Sequence, residues 1–403
     1  MLVGYDVENV TLANFYIDCN GYGGGDPTET YYASAIAFQC SGTKPLYNIH
    51  LKQIKTYNGI GAHIRFGSDS NDLENAYRNV VIEQVECHLN PYDGQSNPML
   101  LIETGNTVVL RDCYVHEVAN RSDGCIALGG KNIWAYNCVA EGGYEGFRVE
   151  KGHRDIDNIN IIGGTVKNNR YGVLLYPNSR GVTIDGLTAY KNNIALYQDA
   201  DHERIVIKNC KLYNGCISIP GNNVTNITIK DNTIVFSELE SSELCGIGIS
   251  ADNPSFFKII GNTIYDTRTP EFGKTMRWGI AVFGTTLNHA IIENNHIWNY
   301  TEKAIGTPYN GSIKFDNRNL GTATFSGDGS TTDFLIGDHG LAITDPNRIV
   351  VKVTPISPDA IAASPCVGYV DPNDNTKIRV KFANPPASGT DNVKITWEAE
   401  VVF

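Results

Sequence analysis

Apolar and polar residues alternate in short runs along most of the chain, and the runs share one nine-residue form. Residues 227–235 read ITIKDNTIV, residues 257–265 FKIIGNTIY and residues 290–298 AIIENNHIW. The same form begins at Val10, Ile49, Val80, Val108, Ile133, Ile159, Val182 and Ile205, with successive starts 22 to 39 residues apart. Places one, three, six and eight are apolar or small, and the others are mostly polar or large. Alternation at period two marks a strand with one buried face. The parity slips at place five, held by Asn14, Asp112, Asn137, Gly163, Gly186, Asn209, Asp231, Gly261 and Asn294. These residue types tolerate a left-handed backbone, so each phrase predicts two short strands joined by a sharp bend.

After a turn of variable length comes a third strand, usually opened by glycine: DGCIAL at 123–128, EGFRVE at 145–150, YGVLLY at 171–176, NGCISI at 214–219, CGIGIS at 245–250 and WGIAVF at 278–283. Three strands and three turns in about 22 residues make one coil of a parallel β-helix. A coil buries its inner face only against its neighbours, which is why the phrase recurs. About eleven coils are expected over residues 1–320.

Place six points inward and holds Cys113, Cys138 and Cys210, then Asn232, Asn262 and Asn295. The asparagines are expected to stack, each amide bonding to the coils above and below. The cysteines read as small core residues of the same stack, because parallel side-chain vectors suit disulfide geometry poorly. No CxxC or HxxxH pair occurs, so neither a metal nor a cofactor is expected.

This pattern resembles the right-handed parallel β-helix superfamily, which includes pectate lyases, polygalacturonases, mannuronan epimerases and phage tailspike depolymerases. The resemblance implies an all-β fold, polysaccharide as the partner, a homotrimer and a place outside the cell or on a virion. It carries over no catalytic residue. The NTD, DD, GHG and RIK segments of polygalacturonases are missing, as are the DPH signature of epimerases and the calcium-binding aspartates of pectate lyases. The chain reads as starting inside the helix with no capping element, so an upstream module is expected.

From about Gly321 the phrase gives way to alternating strands broken by Gly, Pro, Asn and Asp, such as RIVVKVTPIS, KIRVKFANPP and NVKITWEAEVVF. They predict a small antiparallel β-sandwich over residues 321–403, covering the open edge of the last coil. By the resemblance, such a domain trimerises the chain or binds sugar. GDHGL at 337–341 reads as turn residues.

Charge narrows the partners. A net charge of −12 argues against nucleic acid and anionic membrane surfaces. No apolar run approaches the roughly 20 residues of a membrane span. The first residues lack the layout of a signal peptide, so export would use another route or a removed leader.

The turn before the third strand is long at 19–33, 89–98, 236–245 and 266–277, and short in the middle coils. Long loops at both ends over short ones predict a trough of about 29 Å across the coils, at roughly 4.8 Å per coil. Lining it are His116, Glu141, Lys167 and Tyr190 at place nine. The turns and third strands add Asp123, Tyr144, Glu145, Arg148, Glu150, Arg170, Tyr171 and Tyr176. Asp123 and Glu145 share a place in consecutive coils, roughly 5 Å apart, where repulsion raises one pKa and suits glycoside cleavage. A lyase or epimerase would instead use Tyr171 as base, with Arg148, Arg170 or Lys167 stabilising an enolate. Catalytic roles are thus expected for Asp123, Glu141, Glu145, Arg148 and Tyr171, and substrate contacts for His116, Lys167, Arg170, Tyr176 and Tyr190. The plainer alternative for each charge is a solvated outer face, with Arg148 an ordinary surface partner of Glu145 or Glu150. Two function classes stay open: a glycan hydrolase or lyase, and a non-catalytic structural or adhesion protein.

Overall fold

The computed structural model describes residues 2–5, 7–19, 34–40, 46–58, 62–68, 77–90, 98–118, 124–150, 156–238, 245–268, 276–315 and 318–402. The chain divides into two compact units. One comprises Met1–Pro254, Lys258–Thr285 and Glu293–Gly311, and the other Ser255–Phe257, Thr286–Ile292 and Ser312–Phe403.

In the first unit, parallel strands stack coil on coil in three ladders. Val108 pairs with Ile133, and the row continues through Ile159, Val182, Ile205 and Ile227, all fully buried. Each such aliphatic side chain stabilises the fold by about 1.5–3 kcal/mol relative to exposure. The expected inward column is therefore present.

Every place-five residue named above has positive φ, and so do Gln53 and Gln84 at the same place. Gly163 shows why the bend selects its residue: φ is +65°, and an added Cβ would lie 2.5 Å from Asn137 Oδ1. At place six, Asn232 Nδ2 donates to Asn262 Oδ1 at 2.9 Å, and Asn262 Nδ2 to Asn295 Oδ1 at 2.9 Å. Asn232 and Asn262 also bond the carbonyls of Ile207 and Ile229. Cys113, Cys138 and Cys210 are free thiols buried in the same position.

A second amide ladder sits at the turn before the third strand. Asn169 Nδ2 donates to the Ala140 carbonyl at 3.1 Å and to Asn192 Oδ1 at 3.2 Å. The third strands are unusual in being buried on both sides: every residue of Cys245–Ile249 and Trp278–Val282 is buried.

The second unit contains two three-stranded antiparallel sheets. Arg318–Gly327, Gly389–Val401 and Ile349–Pro355 form one; Asp333–Asp338, Lys377–Phe382 and Cys366–Val370 form the other. Residues of both sheets meet in shared clusters, such as Val380 and Phe382 with Val393 and Ile395, which makes a small sandwich. His339 is fully buried, its Nε2 donating to the Asn375 carbonyl at 2.8 Å while Nδ1 accepts from Leu341 N. It pins a turn. Among the described residues no helix is long and apolar enough to cross a membrane.

Candidate functional site

The second strands set one row of candidate residues. His88 pairs with His116 in register, and Glu141, Lys167, Tyr190 and Tyr213 follow along the same outward column. Stacking and pairing engage His116, Glu141 and Lys167. The His116 ring lies 4.2 Å from His88 and 4.1 Å from Tyr114, and its Nε2 meets Glu86 Oε1 at 3.1 Å. Glu141 accepts from Tyr114 Oη at 3.1 Å and Asn168 Nδ2 at 3.2 Å, and pairs with Lys167 Nζ at 2.8 Å. Partial burial works against its charge, but Lys167, Tyr114 and Asn168 outweigh it and hold the carboxyl below its ordinary range. Tyr190 stacks on Tyr213 at 5.0 Å and stays exposed.

At the turn, the exposed Arg170 lays its guanidinium over the rings of Tyr144 (5.0 Å) and Tyr171 (5.7 Å), which themselves meet edge-on.

The third strands carry a different group. Glu145 opens strand Glu145–Val149, and its side chain has no exposed surface. Tyr176 Oη donates to Glu145 Oε1 at 2.9 Å. Arg148 Nη2 stands 3.5 Å from Glu145 Oε2 and donates to Tyr176 Oη at 3.3 Å, while Nη1 stands 3.8 Å from Glu150 Oε2. The guanidinium also lies 5.0 Å over the Tyr176 ring, which stacks on Tyr197. Two buried atoms of this group, Glu145 Oε2 and Arg148 Nε, have no hydrogen-bond partner among the described residues. Gly124 faces the first of them: a Cβ there would approach Oε2 to 3.2 Å.

The electrostatics follow from this crowding. Burial opposes the charge of Arg148, yet Glu145 and Glu150 overcome it and hold the guanidinium firmly protonated. Burial raises the Glu150 carboxyl; Arg148 pulls it down, but Glu145 and Glu103 add to the rise and it ends above its ordinary range. Burial, with Glu145 close by, likewise pushes the Tyr176 phenol up. One acid is thus biased toward its protonated form beside another that is buried and ion-paired.

The structure distributes the expected trough residues over three places. His116, Glu141, Lys167 and Tyr190 belong to the second-strand face. Glu145, Arg148 and Tyr176 belong to the third strands, and Arg170 with Tyr171 to the turn. Glu145 is enclosed rather than lining a surface, and its pairing with Arg148 is buried rather than a solvated contact. Asp123 and most of the long loops lie outside the described residues. Glu150, placed in sequence among the trough-lining residues, was given no role there, and the Asn169–Asn192 ladder was missed as a site feature. The signal for enclosure was present: third strands such as YGVLLY are apolar at both parities, which reads as burial on both faces.

Residues 98–238 match a family model described as a right handed beta helix region. No curated protein sequence matches the chain. A mutant tailspike protein of E. coli bacteriophage HK620, solved in complex with pentasaccharide, is 10% identical with a TM-score of 0.50, covering 100% of this chain and 87% of that one. The A-module of Azotobacter vinelandii mannuronan C-5 epimerase AlgE4 is 13% identical at a TM-score of 0.42, over 75% of this chain and 90% of that one. PfbA, a surface adhesin of Streptococcus pneumoniae, is 13% identical at 0.41, over 77% and 91%. Together with the stacked ladders and the inward column, the match to the family model identifies the fold: the chain is a right-handed parallel β-helix protein with a small β-sandwich.

Proposed function

We propose that this protein binds and degrades polysaccharide by hydrolysis, with its reactive centre at Glu145, Arg148, Glu150 and Tyr176. The observation that carries the reading is Glu145 itself, a fully enclosed carboxylate with one oxygen that no described residue hydrogen-bonds. An uncompensated buried polar atom costs about 1–3 kcal/mol, and sites keep such atoms for work. Glu145 and Glu150 approach opposite ends of one guanidinium, which keeps them within roughly 10 Å of each other. That is the spacing at which two carboxyls flank a glycosidic bond. Glu150, the more accessible of the two and held above its ordinary range by burial, donates its proton to the leaving oxygen. Glu145 serves as the carboxylate, oriented by Tyr176. The exposed Tyr197, stacked on Tyr176, offers a ring for a sugar face. The same reading makes the protein a homotrimer outside the cell or on a virion; light scattering at the 44.1 kDa monomer mass would refute the trimer.

One observation favours a second reading. Glu145 has no exposed side-chain surface, so it also suits a structural pin inside a non-catalytic glycan-binding or adhesion protein. Incubation with a panel of neutral and acidic polysaccharides separates the two. Release of reducing ends that Glu145→Gln abolishes supports hydrolysis. Glycan binding without any release leaves the binding reading.

A further inference from the structure

The described charges around Glu145 continue along the third strands. Arg65 and Glu103 lie two to three coils before Glu150, and both are nearly enclosed, at 6% and 11% side-chain exposure. They face each other through Arg65 Nε and Nη2, at 3.2 and 3.0 Å from Glu103 Oε1. Between Glu103 and Glu150 the register places Gly129: Leu128 pairs with Ile102 on one side and Val149 on the other. Gly129 has no side chain to stand between the two carboxylates, and a Cβ there would meet the backbone oxygens of both residues, at 2.6 and 3.1 Å. Among the described residues, three carboxylates thus share this face with two guanidiniums. Each guanidinium is already engaged by a carboxylate of the chain, Arg65 by Glu103 and Arg148 by Glu145 and Glu150.

We infer that the site takes neutral glycan and rejects chains of uronic acids, an inference that rests on the reading under Proposed function and narrows its substrate. A uronate entering beside Glu150 would meet the Glu103 carboxylate as a like charge in a poorly solvated place, where repulsion is strong. It would find no uncommitted guanidinium among the described residues of this face to take its carboxylate bidentately. Both arginines would have to abandon enclosed partners first. β-Elimination needs a cation to neutralise the uronate as its α-proton leaves, and the guanidiniums of Arg65 and Arg148 are already engaged. Hydrolysis of a neutral sugar needs only a proton donor and a carboxylate, and the face supplies both.

The test uses the full chain and paired polymers: alginate, pectate and hyaluronan, each beside its carboxyl-reduced form of the same linkage, together with neutral heteroglycans. Reducing ends and absorbance near 235 nm are read, and binding to each member is measured by calorimetry. A neutral or carboxyl-reduced member cleaved at least tenfold faster than any uronate polymer, with no unsaturated product, is the expected result. In Glu103→Gln the gap should narrow several-fold. Faster cleavage of a uronate polymer, or absorbance at 235 nm, overturns the inference while leaving polysaccharide degradation standing. Neutral members bound tenfold more tightly than their uronate forms but never cleaved would uphold the inference and sink hydrolysis. Neither binding nor cleavage of any neutral member sinks both.

Discussion

Two acid–base groups sit on the same middle coils of this helix, and they differ in how completely their needs are met. On the second strands, Glu141 has a lysine, a phenol and an amide, all partly open to water. On the third strands, Glu145 has one phenol, one ill-directed guanidinium and no water-accessible surface. Equal chemistry on paper becomes unequal in energy. A satisfied surface pair is worth at most about 1 kcal/mol. A buried pair is balanced between large desolvation and attraction, and losing one partner upsets that balance by about 3–5 kcal/mol. The comparison teaches that the completeness of hydrogen bonding, rather than residue type, separates scaffold from site.

The largest expected effect therefore falls on Arg148. Arg148→Ala leaves Glu145 enclosed with only Tyr176, and unfolding free energy should drop by about 3–5 kcal/mol in urea denaturation. A loss below about 1 kcal/mol would put this pair in the same class as Glu141–Lys167 and erase the contrast.

Next comes Glu145→Gln, which keeps the shape and the bond from Tyr176 but removes the charge. If the hydrolytic reading holds, kcat/KM should fall by about 3 kcal/mol or more of transition-state stabilisation, with glycan binding nearly intact. Glu141→Gln on the same substrate should change kcat/KM less than about twofold. Tyr176→Phe stands between them. It strips Glu145 Oε1 of its donor and should cost about 1–3 kcal/mol of stability, read by the denaturation midpoint. Lys167→Met on the other face should cost less than about 1 kcal/mol, because its head group is already solvated.

These contrasts also mark what the sequence made legible. The coil, its bends and its inward columns were readable because side-chain parity and left-handed residues are local properties. Val108 through Ile227 form the row that parity requires, and Asn232, Asn262 and Asn295 stack as place six demands. The site was legible only in part. Periodicity states which side chains point outward, but it does not state whether the outer face is covered. Glu145, Arg148 and Tyr176 were therefore picked as neighbours of Glu141 and Lys167, although the corner of the coil separates them. Leu174 and Ala195, outward yet nearly enclosed, carried the warning in their apolarity. Glu150 was read as lining the trough but given no role, because its importance comes from Glu103, which precedes it by 47 positions in sequence and by two coils in space.

The smallest effect is a difference in pH dependence between the two faces, and its sign is fixed by the two shifts. Glu141 is held below its ordinary range in the folded protein. It therefore contributes stability above the unfolded value and loses it as pH falls through its folded pKa. Glu150 is held above that range. Its folded form prefers the proton, so its contribution is present in acid and is lost as pH rises through the raised pKa. Each term should stay below about 1 kcal/mol, since both side chains keep contact with water. Glu141→Gln should thus be less stable than the parent at pH 7, with the gap closing toward pH 3. Glu150→Gln should match the parent near pH 3 and become the more stable of the two at pH 7. Thermal melts of the parent and the two variants across that interval read both slopes. Slopes of the same sign would mean that the two carboxylates sit in equivalent surroundings, and the distinction between the faces would fall with them.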